Sequence, residues 1–87
     1  MDEVQLKESR NLLESIGLMF GKRSSFSEEE RQGMVEVASA ESPKGEEWIA
    51  LAPADKDLDP NEEQYIEPVL RYSANSMYET EAKPRLT

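Results

Sequence analysis

The stretch from residue 33 to residue 53 constrains this chain most. It reads GMVEVASAE, then SPKG, then EEWIALAP, and two runs rich in Val, Ile, Trp and Ala around a Pro-Lys-Gly turn form a β-hairpin. With Pro43 and Lys44 in the middle of a type I turn and Gly45 in the left-handed position of a G1 bulge, Ser42 pairs with Glu46. That register sets Ser39 opposite Ile49, Val37 opposite Leu51 and Val35 near Pro53, and the face they share is expected to be buried. The other face carries Met34, Glu36, Ala38, Ala40, Trp48, Ala50 and Ala52. A two-stranded hairpin is marginal alone in water, so a helix must cover it, and the Trp48 face is either a second packing face or a contact surface.

Helical spacing supplies the cover. Val4, Leu12, Leu13, Ile16, Met19 and Phe20 recur every three or four residues, which predicts an amphipathic helix over 2–20. Gly21, followed by Lys22 and Arg23, gives that helix a left-handed cap and cations at its negative end, and the Leu12 to Phe20 segment is the expected lid on the hairpin. Gly17 marks a close approach or an earlier end. Ser27-Glu28-Glu29-Glu30 is a capping box opening a short helix over 28–32, with Phe26 as a staple before it. Asp59-Pro60 announces a last helix, Asp as N-cap and Pro at the first helical position, with Glu62 and Glu63 in its first turn. Pro68 falls inside that segment and removes a hydrogen bond, so residues 65–72 kink, break or pass into an added strand; a kinked or broken helix to about Tyr78 fits the spacing best.

The fold expected is therefore α+β: one small domain over 1–78, with an N-terminal helix, a short helix, a two-stranded antiparallel hairpin over about 33–53 and a kinked or broken C-terminal helix. Residues 79–87 are expected to be a flexible tail. In 87 residues a single core supplies little net stability, so binding a partner or a second copy would add burial.

The chain has no cysteine and no histidine, which removes thiolate chemistry, Cys zinc sites and the side chain best suited to proton transfer near neutral pH. With no Gly-rich phosphate loop either, no enzyme activity, metal or cofactor is expected. The acidic start MDEV lacks an apolar leader and no run approaches a membrane span, so a cytoplasmic location is expected, with no membrane partner. Asp55-x-Asp57-x-Asp59 resembles the opening of an EF-hand calcium loop, but Pro60 stands where the loop needs Gly and Ile66 where it needs a bidentate acid. The Asp59 cap explains the pattern more simply.

The net charge of −9 is concentrated: residues 28–67 hold thirteen acids against Arg31, Lys44 and Lys56. Such a middle repels phosphates and anionic membranes and attracts basic protein surfaces. Glu28, Glu29, Glu30, Glu46, Glu47, Asp55, Asp57, Glu62 and Glu63 are the candidate partner-binding acids, and Trp48 with Ala38, Ala40 and Ala50 forms a candidate apolar platform. In size and charge the chain resembles the small acidic inhibitors that bacteriophages encode against host enzymes or defence systems, DNA mimics and anti-CRISPR proteins among them. The resemblance implies an inhibitor or modulator that occupies the basic, nucleic-acid-binding surface of a partner protein and does not itself bind nucleic acid. The rival expectation is a structural or assembly subunit, or an antitoxin-like neutraliser, that binds through the Trp48 platform while its acidity serves solubility.

Overall fold

A computed structural model describes residues 3–82. Helix α1 (Glu3–Ser15) leads into strand β1 (Met19–Lys22), a 3₁₀ turn (Arg23–Ser25), helix α2 (Glu28–Arg31), strands β2 (Met34–Glu41) and β3 (Glu47–Pro53), and helix α3 (Pro60–Ala82). The class is α+β, as expected, but the sheet has three strands, in the order β1-β3-β2 with antiparallel neighbours.

The additional strand comes out of the segment read as helix. α1 stops at Ser15 because Gly17 takes φ 103°, and the end is a Schellman motif: Gly17 N–H donates to the Glu14 carbonyl and Leu18 N–H to the Leu13 carbonyl, both at 3.1 Å. Leu13 and Leu18, the apolar pair that accompanies this motif, are both in the core. A Cβ at Gly17 would lie 3.2 Å from Pro53 Cγ, so the close approach is real as well. Met19 to Lys22 then pair with Leu51 to Trp48. Gly21 is thus a strand residue opposite Ile49, not a helix cap.

The hairpin turn forms as the sequence dictates. Ser42 N–H donates to the Glu46 carbonyl at 2.8 Å, and Gly45 has φ 82°. From there Ala40 faces Trp48, Ser39 faces Ile49 and Ala38 faces Ala50, until a bulge between Glu36 and Ala38 shifts the register. Glu36, not Val37, opposes Leu51; Val35 opposes Ala52 and Met34 opposes Pro53. The extra residue turns Val37 toward the helices.

Both faces of β3 are closed. Trp48, Ala50 and Ala52 join Leu13, Leu18, Ile66, Val69, Leu70 and Ala74 in the main core. The Trp48 face is therefore the principal packing face, and no exposed platform exists there. α3 lies across the strands and α1 packs chiefly against α3, so α3 is the lid expected of residues 12–20. Leu12 and Val4 on α1 point to solvent. Along α3, Ile66, Val69, Leu70, Ser73 and Ala74 follow helical spacing and are all buried. Pro68 sits off that stripe in one helix that runs unbroken from Pro60 to Ala82. The helix takes in 79–82 of the expected tail, and residues 83–87 lie outside the described residues.

The opposite face carries Ile49 and Leu51, buried at 0% and 3% exposure though no long helix covers them. Topology explains this. β1 and β2 both run antiparallel to β3, so they are parallel to each other with β3 between them. β1 ends opposite Trp48 and β2 begins opposite Pro53, so residues 23–33 must return the length of the sheet while passing from one edge to the other. They cross on the Ile49 face. Phe26 lies against Gly21, where a Cβ would come 3.2 Å from its ring, and Arg23 binds Glu36 and Glu47, which share that face.

Two stability outcomes follow from this packing. A Cβ at Gly45 would meet only the Glu41 carboxylate, at an ordinary 3.6 Å, so Gly45→Val should cost about 1–2 kcal/mol through backbone strain alone, while Lys44→Ala stays within about 0.5 kcal/mol in urea unfolding. The Ser73 hydroxyl is fully buried without a hydrogen-bond partner, and Ser73→Ala should raise stability by about 1 kcal/mol.

Candidate protein-binding surface

The acids that the sequence singles out fall into two groups at opposite ends of the sheet. At the Pro53 end, Ala54 N–H donates to the Gly33 carbonyl at 2.8 Å, which ties the loop after β3 to the turn between α2 and β2. Two capping devices fix the flanks. Ser27 Oγ accepts from Glu30 N–H at 3.1 Å and the Glu30 carboxylate accepts from Ser27 N–H at 2.9 Å. Asp59 Oδ1 accepts from Asn61 N–H at 2.8 Å and the Glu62 carboxylate accepts from Asp59 N–H at 3.1 Å. Both are reciprocal boxes that satisfy the first amides of a helix. Glu30 and Glu62 therefore spend their carboxylates within the fold.

Glu28, Glu29, Asp55, Asp57 and Glu63 do not. All five are exposed, and none takes part in a salt bridge of the described residues. α2 and the loop after β3 bring Glu28, Glu29, Asp55 and Asp57 to one end of the molecule, and the first turns of α3 continue the negative surface with Glu63. The loop acids do not form a metal cage: among the described residues no three His, Cys, Asp or Glu side chains converge to hold an ion. No helix among them is long and apolar enough to cross a membrane.

At the hairpin end the two candidate acids are paired with cations. Lys22 Nζ stands 2.9 Å from Glu46. Arg23 offers its guanidinium to both oxygens of Glu47, Nε at 2.7 Å and Nη2 at 3.2 Å, and Nη2 also donates to Glu36. The fork raises the Arg23 pKa and holds the Glu47 carboxyl below the usual carboxylate range, in both cases first through the hydrogen bonds between them. β3 separates this end from Asp55 by about 20 Å. Glu46 and Glu47 thus do not join the Pro53-end acids in one face, and Trp48, at 5% exposure, belongs to the core. Lys22 and Arg23 read in the sequence as helix-terminal cations; once residues 19–22 form a strand, they clamp the hairpin instead. The Gly17 stop was the signal for it.

Comparison with protein families, curated sequences and solved structures returns no match.

Because the Glu47 carboxyl is lowered in the folded state, its pairing contributes above the ordinary carboxylate range and is lost as pH falls through the lowered value. In Arg23→Ala the Glu47 titration followed by NMR should move back up. The melting temperature at neutral pH should hardly change, since both partners are exposed.

Proposed function

We propose that this protein acts by binding, as an acidic inhibitor or modulator that covers a basic, nucleic-acid-binding surface of a partner protein. The observation that supports this reading is the set of unneutralised carboxylates at the Pro53 end, Glu28, Glu29, Asp55, Asp57 and Glu63, exposed on elements that the caps and the 54-to-33 hydrogen bond hold in place. Along one DNA strand the charges recur every ~3.4 Å. Exposed carboxylates on a helical turn and an adjoining loop present repeated negative charge, which a surface shaped for phosphates can accept. Phage-encoded nucleic-acid mimics work in this way, and the same end of the molecule would compete with nucleic acid for its partner. The rival reading through a Trp48 platform loses its contact residue to the core.

Charge steers such binding, so the affinity falls steeply as salt shortens the Debye length from ~10 Å to ~3 Å. The test is capture from nuclease-treated host lysate on the immobilised protein, with identification by mass spectrometry. Basic nucleic-acid-binding proteins should be retained, released by salt or by duplex DNA, and absent from the Glu28→Lys, Glu29→Lys, Asp57→Lys triple variant. That variant should keep its melting temperature within a few degrees, because exposed charges contribute little to stability. Retention of the same proteins by the triple variant, or indifference to added DNA, would sink the proposal.

A further inference from the structure

We infer that the outer edge of β2 is a strand-addition site for an extended cationic segment of a partner. β2 is an edge strand of eight residues, against four in β1 at the other edge. The hydrogen bond from Ser42 N–H to Glu46 sets the alternation: residues 42, 40 and 38 turn their backbone groups toward β3, and Ser39 and Glu41 turn theirs outward. Both outward residues are exposed. The bulge at Glu36/Ala38 limits regular pairing to residues 38–41 and the turn beyond, which is enough for a short docked strand and too short to template a continuous sheet.

Beside this edge runs a groove of about 330 Å³ between β2 and α3. Val37, Leu58 and Ile66 supply its apolar surface, and Glu63 and Glu67 its wall. Glu67 has an exposed pairing with Arg71 one turn along the helix, whereas Glu63 has no such pair. A strand added to β2 sends alternate side chains over this groove. Lysines there lay aliphatic stems on Val37 and Leu58 and bring their ammonium groups to Glu63 and Glu67. Charge selects the occupant: a second copy would bring together two chains of net charge −9 each, while a basic segment neutralises the wall. The inference deepens the proposed function, and it rests on that reading only for the sign of the partner's charge.

The probe is the peptide acetyl-KVKVKVKV-amide, added to the ¹⁵N-labelled protein, beside the same peptide N-methylated at alternate backbone nitrogens. Binding should be saturable and one-to-one, with shifts centred on 38–41 and amide exchange of Ser39 and Glu41 slowed at least tenfold. N-methylation of the peptide should weaken it at least tenfold. Ser39→Pro should do the same, because it deletes an outward donor that the ladder to β3 does not use, and a melting curve reports whether this variant is folded. The peptide arm needs no change in the protein. Absence of peptide binding overturns the inference. Equal affinity for both peptides also overturns it, and if the triple charge reversal then abolishes binding, the acidic-surface reading stands without it. N-methyl-sensitive binding that survives the triple reversal supports strand addition while the acidic-surface reading fails. A concentration-dependent dimer that Ser39→Pro dissolves gives the edge to a second copy and overturns the cationic occupant.

Discussion

The structure depends on β3 being closed on four sides. Ile49 and Ala50 have no exposed surface, so every backbone amide and carbonyl of the strand must find a protein partner, and an unpaired one would cost about 1–3 kcal/mol. β2 alone could satisfy one edge. β1 is therefore obligatory, and its parallel relation to β2 forces residues 23–33 across the sheet, where they bury Ile49 and Leu51. Each buried aliphatic side chain of this kind adds about 1.5–3 kcal/mol. A single hydrogen-bonding requirement thus recruits the third strand and closes the second face.

The acidity is arranged around this frame so that it does not oppose it. Two glutamates close helix ends, and three more, Glu36, Glu46 and Glu47, are held by Lys22 and Arg23. On the strands, Glu36 and Glu47 are paired with Arg23, which limits self-repulsion there. Glu28, Glu29, Asp55 and Asp57, which have no such task, lie where the α2 turn meets the loop after β3.

Much of this was legible in the residues. The Pro-Lys-Gly turn, the Ser27 box and the Asp59-Pro60 helix start depend on local chemistry and form as written. What could not be read locally was the competition for Met19 and Phe20, whose spacing continues a helix but whose place is decided by β3's free edge some thirty residues later. Gly17 carried that decision and also admits a milder meaning as a weak helix residue. The bulge at Glu36/Ala38 has no Gly or Pro to announce it. It redirects Val37 to the helices, and the alternation that made Val37 and Leu51 partners could not reveal it. Of the candidate acids, exposure followed from residue type, but pairing did not: Glu46 and Glu47 are neutralised by cations that only the third strand brings near.

The crossover also sets an order of assembly. β2, β3 and the start of α3 are neighbours in the chain and can meet by closing short loops. β1 is synthesised before the other strands, yet the strand it pairs with emerges last among them. Until β3 exists, Met19 to Lys22 have no strand to pair against, and the nascent chain carries them without a ladder. The first strand made thus cannot be seated before the last, and its docking closes the second edge of β3.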